Sequence, residues 1–142
     1  MYKIKKGYIL GNSFQSIIDT LKDNVDIIWY EPIKLTNKSK LDTIFWTNTK
    51  ELLKSDYVLA DEGLTNTFDL GVAWTINYVR KLLTRSGHKS AVKQLDKFEL
   101  NDKKIIGLTK NINTLYQIAI QDQGKLFKSS KAIIKSIENW ER

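Results

Sequence analysis

The sequence contains no cysteine, which removes disulfides, thiol nucleophiles, iron–sulfur clusters and thiolate zinc sites in one step. Histidine is almost as scarce, with His88 the sole example. One imidazole cannot build a His-rich metal centre, and between Gly87 and Lys89 it reads as a surface residue. The carboxylates show no EF-hand spacing, so no metal and no cofactor is expected. Gly11 and Gly71 stand isolated, outside any P-loop or dinucleotide fingerprint, which leaves ATPase and NAD-dehydrogenase readings without a motif. No run approaches the roughly 18 apolar residues of a membrane span. Lys3, Lys5 and Lys6 precede only Ile9 and Leu10 before Gly11-Asn12-Ser13, too short an apolar stretch for a signal peptide. The expectation is a cytoplasmic protein with no membrane attachment.

What is present suits one compact domain spanning residues 1–142. Hydrophobic residues make up 42% and charged residues 27%, enough apolar material for a core under an ordinary charged surface. The formal charge is +7, and its placement matters more than its total. Residues 1–71 carry 9 basic and 10 acidic side chains, whereas residues 72–142 carry 14 and 6. Arg80, Lys81, Arg85, Lys89, Lys93 and Lys97 form the one candidate polyanion patch, against the single acid Asp96. Only 3 of the 23 bases are arginine, which weakens a case for bidentate phosphate recognition in a nucleic acid. A solvated basic face or a small phosphorylated ligand fits equally well.

Apolar periodicity divides the chain into alternating strands and helices. Residues 2–10 read as a strand stopped by Gly11-Asn12-Ser13. Phe14, Ile17, Ile18 and Leu21 then form an amphipathic stripe over 14–21, with Ser13 placed to cap it. Residues 25–30 form a second strand, and the only proline, Pro32, marks its exit. A helix over 41–53 places Leu41, Ile44, Phe45, Leu52 and Leu53 inward. Residues 57–60 are a short central strand, followed by a polar loop over 61–67. Asp69 is placed to cap the next helix, whose stripe is Leu70, Ala73, Trp74, Asn77, Tyr78 and Lys81 or Leu82, ending near 84–87. A short helix and a turn occupy 87–103, a strand 104–109, and a last helix 126–140 with Phe127, Ile133, Ile134, Ile137 and Trp140 inward.

This rhythm predicts an α/β protein with a small doubly wound parallel sheet of the flavodoxin or Rossmann kind. Sites in such folds collect beyond the carboxyl ends of the strands. The turn Gly11 to Phe14 and the loop from Asp61 to Asp69 meet that expectation.

Those two segments also carry a resemblance. Ser55-Asp56-Tyr57-Val58-Leu59-Ala60 followed by Asp69-Leu70-Gly71-Val72-Ala73-Trp74-Thr75-Ile76-Asn77-Tyr78 is similar to the nucleoside 2-deoxyribosyltransferase family. That family runs from an aspartate and an apolar strand into an Asp-x-Gly-x-x-x-Glu-x-Gly-Tyr helix start. Tyr8-Ile9-Leu10-Gly11-Asn12-Ser13-Phe14 resembles its first strand and aromatic-containing turn, and residues 104–109 its later strand. The resemblance implies a site for a nucleoside or nucleotide, with a carboxylate attacking the anomeric carbon as oxocarbenium character develops. It also implies a homodimer or higher homo-oligomer.

On that comparison the nucleophile's position holds Thr75, and a second family carboxylate falls on Asn48, so both charges are absent. The glycine before the tyrosine matches Asn77, and a late asparagine falls near Gln117. The implied ligand-binding set is Tyr8, Gly11, Asn12, Phe14, Asn48, Asp69, Gly71, Trp74, Thr75, Tyr78 and Gln117. Asp69, Glu62 and Asp61 are the acids able to replace the missing ones. Each residue has a plainer role beside this one: Asp69 as an N-cap, Gly71 as a close-packing position, Trp74 and Tyr78 as an i,i+4 packing pair, Thr75 as chemically silent. Three functions follow: a nucleoside- or nucleotide-like metabolite binder that has lost the standard chemistry, an N-glycosidic-bond enzyme with a displaced acid, or a basic nucleic-acid-binding or structural protein.

Overall fold

The computed structural model describes residues 4–33, 41–61, 67–112 and 114–142. Its elements follow in the order β1 (Lys5–Leu10), α1 (Gln15–Leu21), β2 (Ile27–Tyr30), α2 (Leu41–Lys54), β3 (Tyr57–Asp61), α3 (Thr67–Arg85), α4 (Lys89–Lys97), β4 (Lys104–Leu108), α5 (Leu115–Gln123), β5 (Gly124–Phe127) and α6 (Ser130–Trp140). The five strands form one sheet in the order β2-β1-β3-β4-β5, and every neighbouring pair is parallel. This is the doubly wound α/β arrangement of flavodoxin-like order, which the alternation of strands and helices predicts.

Parallel strands need helical crossovers, and those crossovers cover both faces of the sheet. The central strand β3 is buried at all five residues, which is why Tyr57-Val58-Leu59-Ala60 reads as an uninterrupted apolar run. On one face Phe14 at the N-cap of α1, Ile17 and Leu21 within it, and Ile133 and Ile137 of α6 pack over Ile9, Leu59 and Ile106. On the other, Leu52 of α2, Leu70 and Ala73 of α3 and Ile120 of α5 pack over Tyr8, Val58 and Ile105.

Several local expectations are corrected. Ser13 does not cap α1: the N-cap is Phe14, without a side-chain cap bond. Leu41 and Phe45 are exposed rather than inward, and α2 buries Ile44, Thr49 and Leu52. On α3, Tyr78 and Leu82 are exposed while Asp69 and Asn77 are buried. The single last helix over 126–140 is in fact β5 followed by α6, and α5 precedes both. Phe127 reaches the core from a strand, where Gly124 lets the backbone close on β4; a Cβ there would lie 2.1 Å from the Ile105 carbonyl oxygen.

The amino end of β4 is fixed by two buried polar side chains. Asn77 accepts from the Lys103 amide at 2.8 Å and donates to the Lys103 carbonyl at 2.8 Å, tying α3 to the strand's start. The Lys103 ammonium donates to the Leu53 and Ser55 carbonyls at 2.8 and 2.7 Å, satisfying acceptors in the last turn of α2 and just after it. Burial of Lys103, 2% exposed, lowers its pKa to about 8, with Asp56 opposing the shift. Between that value and the ordinary 10.5, the unfolded chain binds the proton that the folded chain has released. Stability therefore rises as pH increases through this window. Urea denaturation across pH 7.5 to 9.5 is expected to show a gain on the order of 1–3 kcal/mol, and Lys103→Met should flatten it. A profile equally steep in the variant would contradict this assignment.

Candidate functional site

The strand order reverses its direction of travel between β1 and β3, so a crevice opens at their carboxyl ends. The turn after β1 and the last residue of β3 meet there. Asp61 closes β3, and its Oδ2 accepts from the Asn12 amide at 2.9 Å and the Ser13 amide at 2.7 Å. Gly11 makes this possible. Its φ of 152° is one that side chains rarely adopt, and a Cβ would lie 2.3 Å from the Asp61 carboxylate. Ser13 therefore enters the structure through its backbone, held by Asp61, rather than as a helix cap. Phe14 follows with its ring buried among the α1 and α6 core.

One turn deeper, Tyr8 is fully buried and its hydroxyl donates to Asp69 Oδ2 at 2.6 Å. Asp69 is the third residue of α3 rather than its N-cap; its carboxyl is directed to the tyrosine beneath the helix. Burial is the larger influence on Asp69 and raises its pKa, while the Tyr8 hydrogen bond opposes that shift. Burial and then the Asp69 bond hold the Tyr8 phenol far above its ordinary value. Tyr8 is thus a fixed donor, and Asp69 a carboxyl that holds its proton to a higher pH than a solvated one.

Beside this pair lies a second one. Tyr30 stands opposite Tyr8 in the parallel register, with ring centroids 5.6 Å apart. Its hydroxyl donates to Asn48 Oδ1 at 2.7 Å. The same oxygen accepts from the Ile33 amide at 2.9 Å, and Asn48 Nδ2 donates to the Ile33 carbonyl at 3.1 Å. An aspartate at 48 would have no donor for that carbonyl, so the neutral amide is what the β2 exit requires. Tyr30 was not among the residues expected from the sequence. Its signal is positional: a second tyrosine near the carboxyl end of the adjacent strand.

The remaining expected residues lie apart. Thr75 is exposed, and its hydroxyl donates to the Gly71 carbonyl at 2.7 Å. Six helical residues place it about 120° around the axis from Asp69, so the two do not face one crevice. Gly71 is exposed, and a Cβ there would meet nothing within 4 Å, which overturns the close-packing role. Trp74 and Tyr78 stack with centroids 5.0 Å apart, and the indole donates to Asp122 at 3.1 Å. Gln117 is buried where β4 leads into α5, accepting from the Thr114 amide at 3.1 Å and donating to Thr109 at 2.8 Å. Glu62 lies outside the described residues.

The basic run is partly structural. Arg80 pairs with Asp96 at 2.8 Å and donates to the Leu100 carbonyl at 3.0 Å. Lys81, Arg85, Lys89, Lys93 and Lys97 are exposed, as is His88. Among the described residues no group of three or more His, Cys, Asp or Glu is placed to hold a metal ion, and no helix is long and apolar enough to cross a membrane. A cavity of about 360 Å³ lies along β2, lined by Ile18, Lys22, Val25 and Trp29 among others, and includes none of the crevice residues.

Compared with known proteins, the chain matches no family model, and no curated protein matches it.

Asp61→Ala removes the acceptor of two amides in the first turn. A loss of about 1–3 kcal/mol in urea denaturation is expected, with faster hydrogen exchange at Asn12 and Ser13. Stability within about 0.5 kcal/mol of the parent and unchanged exchange would remove Asp61 from this role.

Proposed function

We propose that the chain binds a nucleoside- or nucleotide-like metabolite at the carboxyl ends of β1 and β3, and that it lacks standard glycosyl-transfer chemistry. The observation that carries the reading is the buried Tyr8–Asp69 pair beneath the first turn of α3. A carboxyl oriented by a phenol in a partly desolvated crevice suits recognition of a ligand hydroxyl. The similarity of the Asp69 to Tyr78 segment to nucleoside 2-deoxyribosyltransferases supports the ligand class.

The loss of chemistry follows from charge. Glycosidic-bond cleavage through a covalent intermediate uses a nucleophilic carboxylate and an acid about 5–5.5 Å away. Thr75 and Asn48 are neutral where the family comparison calls for carboxylates, and both are engaged in local hydrogen bonds. Asp61 is occupied by the turn it holds. Neutral hydroxyl and amide groups do not replace an anion beside a developing cation. One observation favours the second reading, an enzyme with Asp69 as the displaced acid: burial raises the pKa of that carboxyl.

Calorimetry against a panel of ribo- and deoxyribonucleosides and their 5′-phosphates tests the reading, with chromatography for released base run on the same samples. Binding of at least one panel member without base release is expected. Asp69→Asn should weaken it by roughly tenfold or more, about 1.4 kcal/mol. Base release abolished by Asp69→Asn would establish the enzyme reading instead, and no binding across the panel would overturn the proposal.

A further inference from the structure

The sheet ends at β2 on one side, and among the described residues no strand pairs with its outer edge. The helical layer does not close over this edge completely. Ile18 of α1, Val25 just before β2, and Ile27 and Trp29 within it pack against the core but remain partly exposed, while Ile4 and Ile28 are 49% and 58% exposed. These six side chains wall the cavity of about 360 Å³. That volume lies within the range of small-molecule sites and holds about a dozen water-sized groups at roughly 30 Å³ each. Ile4 precedes β1 and Val25 leads into β2, so the cavity lies towards the amino ends of these strands, away from the carboxyl-end crevice.

One wall is set by a glycine. Gly7 of β1 stands opposite Trp29 in the parallel register, and a Cβ at 7 would lie 2.1 Å from the indole. The missing side chain lets the ring lie against the β1 backbone, where Tyr57 packs beside it with ring centroids 6.2 Å apart. A wall held in place this way loses little freedom when an apolar ligand covers it. Two charged residues complete the lining, Lys22 and Asp26, and they differ in availability. Asp26 already has an interaction within the protein. Lys22, the C-cap of α1, is exposed and has no ion pair among the described residues. The charge on offer is therefore one ammonium on a flexible stem at the rim of apolar walls.

We infer that this cavity binds a small monocarboxylic acid with an apolar body, about ten non-hydrogen atoms in all. The body lies against Trp29 and the isoleucines, and the carboxylate meets Lys22. Sugars and nucleosides do not suit such walls, because their hydroxyls would be buried without partners. Asp26 beside the single ammonium disfavours a second negative charge, so a monoanion fits where a phosphate monoester does not. The site is separate from the crevice and independent of the ligand reading made for it.

Nitrogen-15 NMR of the full chain supplies the test, with octanoate, octanol and octylamine as probes of equal length and different charge. Octanoate is expected to shift the amides of residues 18–29 and the Trp29 indole, leaving Asn12, Ser13 and Asp69 in place. It should bind about fivefold more tightly than octanol at low salt, with the margin shrinking as salt is added, and octylamine should bind most weakly. Lys22→Gln removes only a charge at an exposed position, and should bind octanoate no better than octanol. Lys93→Gln, equally exposed on α4, should keep the parent's preference. Val25→Phe, which fills the cavity, should weaken octanoate and octanol alike. Octanoate that leaves the β2 amides unmoved overturns the inference, as do shifts confined to the crevice. So does octanol or octylamine binding as tightly as octanoate, or a preference for octanoate that survives Lys22→Gln.

Discussion

The hydrogen bond from the Tyr8 hydroxyl to Asp69 is the contact on which the carboxyl-end crevice depends. It joins the first strand to the helix that follows the central one, across 61 residues of sequence. A carboxylate buried without a partner would be strongly unfavourable, so Asp69 keeps the start of α3 positioned over β1. The same tyrosine packs against Tyr30, and through Tyr30 and Asn48 the arrangement extends to the exit of β2. Four elements are thereby held around one point by side chains that face the crevice rather than by the sheet alone.

Asp61 does comparable work one step outward, clasping the turn after β1 with its carboxylate. Asp61, which closes β3, and Asp69, the third residue of α3, read from sequence as acids able to replace the carboxylates missing at Thr75 and Asn48. In the fold they have separate tasks, one holding backbone amides and the other facing a phenol. The helix that carries Asp69 rotates Thr75 away from it, towards the outer surface with Gly71. A segment that looks like one functional motif in sequence thus serves two faces of α3.

Much of the fold was legible because its signals are strong and local. The apolar run 57–60 and the stripe of Leu70, Ala73 and Asn77 follow directly from burial on both sides of a parallel sheet. The second half of the chain was harder to read. In α5 only Gln117 and Ile120 are buried, and β5 is four residues long with Gly124 and Lys125 exposed at its start; neither offers a regular apolar period. Leu41 and Phe45 are exposed where periodicity expects them inward, because periodicity marks an apolar side of a helix without saying what covers it. The sequence names Tyr8, Asn48 and Asp69 as candidates but not their mutual arrangement, because hydrogen bonds between residues so distant in sequence leave no local pattern. The net +7 was legible as a total, yet Lys103 and Arg80 spend their charge on buried carbonyls and an ion pair rather than on a polyanion surface.

Asp69 is a desolvated carboxyl oriented by Tyr8, and a site-resolved carbon-13 NMR titration of that carboxyl reads both properties at once. Asp69 is expected to titrate above the ordinary aspartate value in the parent protein, and higher again in Tyr8→Phe, where the bond favouring the ionised form is gone. An ordinary titration midpoint that Tyr8→Phe leaves unmoved would contradict it.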